Sequence, residues 1–277
     1  MEFSKFLSTF DPSSEIRTRF LMSSIQKAFE NGKAFIAFLT CGDPDLETTA
    51  AAVRAAAANG ADLIELGIPF SDPTAEGPVI QAANLRALRG GVTTDRIFAL
   101  VKSLRRDVHV PLVFMTYANV VFSYGAERFF SACREFGIDG LILPDLPFEE
   151  KEEFLPFCRR YGIALISLVA PTSEDRIARI AKEAEGFLYI VSSLGVTGAR
   201  TEIQTDLTSM VRSIRENTDI PCAIGFGIST PGQAQSMAAL SDGVIVGSAI
   251  VKLLEKHGKN APELIGRYVK SMKDAIG

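Results

Sequence analysis

The chain has 277 residues, 47% of them hydrophobic and 22% charged, with a formal net charge of -4. That balance gives no reason to expect nucleic acid or an anionic membrane as partner, and no apolar run approaches the roughly 20 residues of a membrane span. The N-terminus intersperses Glu2, Lys5, Asp11 and Arg17 with short apolar pieces, which is not a signal-peptide pattern, so the cytoplasm is the expected location.

Residues 1–21 are less regular than the rest and read as a loosely packed N-terminal extension, with Met22 as an alternative start. A short helix is expected from Ser23 or Ser24, with Gly32 as its stop signal. Apolar runs of strand length then alternate with helical segments. Ala34–Thr40 precedes a helix over Leu46–Asn59, and Asp62–Leu66 precedes helices over Val79–Leu88 and Thr94–Arg105. Pro111–Thr116 precedes Ala126–Phe136, Ile138–Leu143 precedes Glu149–Tyr161, and Ile163–Val169 precedes Ser173–Ala184. Phe187–Ser192 precedes a helix near Asp206–Asn217, and Ile220–Gly225 precedes Pro231–Leu240. Gly243–Val246 precedes Ser248–Lys256 and a last helix over Ala261–Ala275. Near-continuous apolar strands indicate a parallel sheet buried on both faces. Eight of them alternating with helices predict an α/β fold, a (β/α)8 TIM barrel with an additional N-terminal helix, as one catalytic domain over residues 22–277. A doubly wound open sheet is disfavoured, because Thr40-Cys41-Gly42-Asp43 after the first strand is not its glycine-rich fingerprint.

The first chemical signal is Glu65, a carboxylate inside the apolar run Leu63–Leu66. Alternation puts Leu63 and Glu65 on one face, and Ile64 and Leu66 on the other. The helix-facing side would leave the charge unsatisfied, so Glu65 is expected to point inward near the mouth of the barrel. Burial there raises a carboxyl pKa and equips it both to give and to take a proton. Glu76 follows in a Pro/Gly-rich loop overhanging the same mouth, with Asp72 as its companion. Tyr117 ends the third run and Tyr189 lies in the sixth, each able to flank a planar substrate. Gly195-Val196-Thr197-Gly198-Ala199-Arg200 reads as a mobile lid. Gly225-Phe226-Gly227-Ile228-Ser229 and Gly247-Ser248 follow the seventh and eighth runs, where barrels commonly hold phosphate on backbone N–H groups and a helix N-terminus. His109 and His257 are the only histidines and sit in no catalytic motif. The cysteines Cys41, Cys133, Cys158 and Cys222 are too scattered for a zinc site or a disulfide framework and are expected to be reduced, so no metal is expected.

The run I-E-L-G-I-P-F-S-D-P-x-A-E-G-P-x-I-Q, followed by G-V-T-G, G-F-G-I-S and D-G-V-I-V-G-S-A-I-V, closely resembles the alpha subunits of tryptophan synthase from about Ser23 onward. The resemblance implies cleavage of indole-3-glycerol phosphate to indole and glyceraldehyde 3-phosphate. It implies an α2β2 assembly with a beta subunit that carries pyridoxal phosphate, and no cofactor in this chain. Carried onto matching positions, it makes Glu65 the proton shuttle between the 3′-hydroxyl and indole C3. The second acid, usually an aspartate in the family, falls on Glu76. The phosphate pocket falls on Gly198, Gly227, Gly247 and Ser248, and the indole pocket on Phe38, Tyr117, Tyr189 and Phe226. Thr197 resembles the lid residue that closes toward the second acid, and Asp72 resembles a residue facing the beta subunit. Three alternatives stand beside the lyase. One is a weakly active regulatory subunit that mainly activates the beta subunit. Another is a stand-alone indole-releasing lyase, and the third is a different phosphosugar barrel.

Overall fold

A computed structural model of the chain describes residues 24–191, 200–225 and 227–277. Among the described residues nine parallel strands form one sheet: β1 (Ala34–Thr40), β2 (Leu63–Gly67), β3 (Leu112–Met115), β4 (Gly140–Ile142), β5 (Ala164–Leu165), β6 (Ser167–Val169), β7 (Leu188–Val191), β8 (Cys222–Gly225) and β9 (Gly243–Val246). Their order is β5-β4-β3-β2-β1-β9-β8-β7-β6. The two ends of this ladder, β5 and β6, are separated in the chain by Ile166 alone. The fifth apolar run therefore closes the cylinder by dividing in two: its first part pairs with β4 and its second with β7.

The expected alternation holds around the cylinder. Ile36, Leu63, Val113, Ile142, Phe187 and Ile245 pack together on the inside, and the fully buried Ile25 of helix Ser24–Lys27 joins them. Ile64, Leu66, Phe98, Phe114 and Phe129 belong to the layer between strands and helices. Each such side chain stabilises the fold by about 1.5–3 kcal/mol through burial. The N-terminal helix thus contributes an apolar side chain to the barrel's interior. The extension proposed for residues 1–21 lies outside the described residues.

Several segments differ from expectation. Helix Ala118–Tyr124 is additional. The Asp145 carboxylate accepts from the Ala118 N–H (3.0 and 3.2 Å), so part of its start signal is supplied from the loop after β4. The expected helix Glu149–Tyr161 is a 3-10 turn over Phe148–Glu153 followed by a helix over Leu155–Tyr161, because Pro156 fits only a first turn. The helix expected from Asp206 already begins at Arg200. Helix Ala126–Phe136 stops where Gly137 adopts the left-handed conformation (φ 81°).

One buried ion pair fastens the loops above β1. Arg86 Nε donates to Asp43 Oδ1 at 2.8 Å and Nη2 donates to Oδ2 at 2.9 Å, while Nη1 reaches Glu255 at 2.9 Å. The Asp43 side chain is fully buried. Arg86→Ala would leave that carboxylate charged and unpaired, so unfolding in urea is expected to show a loss of about 3–5 kcal/mol. A loss below about 1 kcal/mol would mean that water replaces the guanidinium at no cost.

Candidate active site

Glu65 lies on β2 between Phe38 of β1 and Val113 of β3 in the strand register. It is 0% exposed, and neither carboxylate oxygen has a hydrogen-bond partner among the described residues. Its strand neighbours Ile64 and Leu66 face the helices, so Glu65 faces the interior. Among the described residues no cation compensates it, and burial lifts its pKa from 4.5 to about 8. At neutral pH such a group is mostly protonated and close enough to its midpoint to lose and regain a proton.

Aromatic residues surround this acid. Tyr189 is buried inside the cylinder, and the charge that Glu65 can carry helps, after burial, to raise its pKa well above 10. Two glycines admit the rings. A Cβ at Gly225 would lie 2.5 Å from the Tyr189 hydroxyl, and one at Gly67 would lie 2.7 Å from the Phe38 ring. Phe38 also lies against Gly247, where a Cβ would approach it to 3.2 Å. Gly247 was expected to serve backbone approach to a phosphate; it also makes room for this aromatic wall.

Glu76 is half-buried in the loop after β2. The Tyr117 hydroxyl donates to Glu76 Oε2 and accepts from the N–H groups of Thr74 (2.9 Å) and Ala75 (2.8 Å). Burial raises the pKa of Glu76, and the Tyr117 bond opposes that rise. Burial and the neighbouring carboxylate push the Tyr117 phenol up to about 12. Tyr117 is 3% exposed, so its polar end is committed to the loop. Asp72 is exposed at the tip of the same loop, with Ser71 Oγ donating to it.

Beyond β9, Gly247 precedes helix Ser248–His257, which has no side-chain cap. Its first N–H groups and dipole are therefore available to an anion, beside an exposed Ser248. Gly227 is exposed with φ 75°, a conformation that favours glycine. Thr197, Gly198 and Phe226 lie outside the described residues. Sequence reasoning passed over Thr40 and Met115. Thr40 is fully buried, with no partner for its hydroxyl among the described residues, two positions beyond Phe38 on the same face of β1. Met115 packs with both the interior and the Phe38 cluster. Counting strand residues in twos from Phe38 and Val113 finds both. Among the described residues, no group of three or more His, Cys, Asp or Glu side chains is placed to hold a metal ion. None of the described helices is long and apolar enough to cross a membrane.

A family model described as tryptophan synthase alpha chain matches residues 25–276. The tryptophan synthase alpha chain of Lacticaseibacillus casei is 50% identical over 256 residues, covering 92% of this chain and 96% of the relative. Among solved structures, the tryptophan synthase alpha subunit from Campylobacter jejuni superposes with a TM-score of 0.83 at 35% identity, over 91% of this chain and 100% of the other. A chain of the tryptophan synthase complex from Pyrococcus furiosus gives 0.79 at 34% identity, over 87% and 98%. With the match running from the interior Ile25 to the last helix, this chain belongs to the tryptophan synthase alpha chain family.

Proposed function

We propose that this protein cleaves indole-3-glycerol phosphate to indole and glyceraldehyde 3-phosphate in tryptophan biosynthesis, with Glu65 as the group that moves the proton. The observation that carries this reading is the inward, fully buried Glu65 carboxyl, which has no partner among the described residues and a pKa raised to about 8.

The reaction follows from that state. Protonated Glu65 gives its proton to indole C3, which places a positive charge on the ring nitrogen. Glu76, through its carboxylate, accepts the ring N–H and stabilises that charge. Glu65, now a carboxylate, removes the proton of the 3′-hydroxyl. The electrons of that O–H bond form the aldehyde carbonyl, and the bond between C3′ and indole C3 breaks. Its electron pair neutralises the ring cation, indole is released, and Glu65 is again protonated. Phe38 and Tyr189 enclose the ring, with Phe226 assigned to the same wall by the resemblance. Gly247, Ser248 and the N–H groups of their helix hold the phosphate beside Gly227, with Gly198 assigned to the same pocket and Thr197 to its lid by the resemblance.

The partner is a tryptophan synthase beta subunit, with Asp72 on the face turned to it. The pyridoxal phosphate of the assembly belongs to that partner, this chain needs no cofactor of its own, and its place is the cytoplasm. A beta-site ligand that favours closure over this site tightens alpha-site binding by the same factor in return. The test is indole release from indole-3-glycerol phosphate, with and without a cognate beta subunit. Turnover is expected in both states and is expected to be faster in the complex. Absence of turnover in both would retire the lyase reading.

A further inference from the structure

We propose that Tyr117 is a positioning residue that holds Glu76 by its Oε2 and so sets the orientation in which the Glu76 carboxylate meets the substrate. This rests on Glu76 touching substrate, as proposed above.

A phenol has one O–H to donate and two lone pairs to accept with. Both lone pairs of Tyr117 are occupied by backbone N–H groups, from Thr74 at 2.9 Å and Ala75 at 2.8 Å. Those donors cannot reverse their direction. The Tyr117 proton is therefore committed outward, and it goes to Glu76 Oε2. That oxygen is held as an acceptor, which fixes the rotation of the carboxylate and so the direction in which its remaining lone pairs can accept a ring N–H. The phenol cannot swing away easily. Its ring packs on Phe70 at 5.0 Å between centroids. The residue after it, Ala118, is held by Asp145.

The same bond matters for ionisation. The ionisable groups felt at Glu76 are Tyr117 and Asp145. Burial and the Asp145 charge favour the neutral carboxyl, whereas the Tyr117 O–H favours the carboxylate that an N–H donor requires. Removing the hydroxyl therefore costs orientation and ionisation together. It also removes the acceptor that the Thr74 and Ala75 N–H groups share.

The experiment is a double-mutant cycle on kcat for indole release in the complex, measured across pH. Tyr117→Phe is expected to lower kcat about 10-fold, leave KM within about 2-fold, and move the acid limb of the kcat profile to higher pH. In a Glu76→Asp background the carboxylate is one methylene short of the phenol. There, adding Tyr117→Phe is expected to change kcat by less than about 2-fold and leave the limb in place. Equal losses in both backgrounds, or an unmoved limb, would reduce Tyr117 to a support for the loop and overturn the assignment. Glu76→Gln separates this inference from the reading beneath it. Full turnover in Glu76→Gln overturns the role of Glu76 itself. Loss of turnover in Glu76→Gln with Tyr117→Phe at the wild-type rate overturns only Tyr117. Should Tyr117→Phe not fold, 3-fluorotyrosine at position 117 keeps the shape. Its fluorine resonance must then differ between the Glu76 and Glu76→Asp proteins, and an unchanged resonance overturns the assignment equally.

Discussion

Glu65→Gln is expected to fold and to bind indole-3-glycerol phosphate, yet to release indole at least about 10³-fold more slowly, since general acid–base groups contribute about 10²–10⁴ per proton transfer. The amide has nearly the size of the acid but can neither give its proton to C3 nor take one from the hydroxyl. Because the change is confined to the chemical step, KM should move little and kcat should carry the loss. A kcat within about 10-fold of wild type would remove Glu65 from the mechanism. The same variant makes a prediction about stability, with opposite sign. Folding raises the Glu65 pKa from 4.5 to about 8, so the folded chain binds this proton more tightly than the unfolded one. That contribution is fully present below about 4.5 and is lost as pH rises through about 8. Gln pays no such penalty. The variant should therefore gain on wild type across that window, by a few kcal/mol at its upper end. A variant that loses activity while gaining alkaline stability separates a chemical role from a packing defect.

Ser248→Asp should produce the second large effect, and on binding rather than chemistry. Ser248 opens an uncapped helix at its positive end. A carboxylate there is favourable to the helix itself, by about 0.3–1 kcal/mol. It occupies the place assigned to the substrate's phosphate and repels it. At a few ångströms, like charges at a protein surface cost on the order of 4 kcal/mol. KM for indole-3-glycerol phosphate should rise at least about 100-fold, with thermal stability equal to or above wild type. A KM within about 2-fold of wild type would place the phosphate elsewhere on the barrel.

The inward acid was legible because a strand has a period of two and a buried charge has few tolerable places. Leu63 and Ile64 fall on opposite sides of the wall as that period requires. The barrel was legible for the same reason, repeated eight times. What escaped depended on contacts distant in sequence. Helix Ala118–Tyr124 draws part of its start signal from Asp145, beyond the next strand. Its own sequence, with adjacent valines at 120 and 121, is a weak helix former. The division of the fifth strand at Ile166 is a property of ring closure, with β4 and β7 claiming different halves of one run. Tyr117 was read as a flank for a planar ring; the bond from its hydroxyl to Glu76, 41 positions away in sequence, was not visible. The glycines at 67 and 225 carried no separate signal, because the rings of Phe38 and Tyr189 that need their missing Cβ atoms come from neighbouring strands.

The most direct measurement is the titration of the Glu65 side chain itself. Carbon-13 carboxyl resonances of the glutamate-labelled protein, assigned by comparison with Glu65→Gln, follow this one group through pH. A midpoint near 8, well above the ordinary 4.5, is the expected result for an acid that is dehydrated, unpaired and ready to pass its proton. A midpoint at the ordinary value would mean that Glu65 is solvated or paired with a cation, and would contradict the proton shuttle on which the mechanism is built.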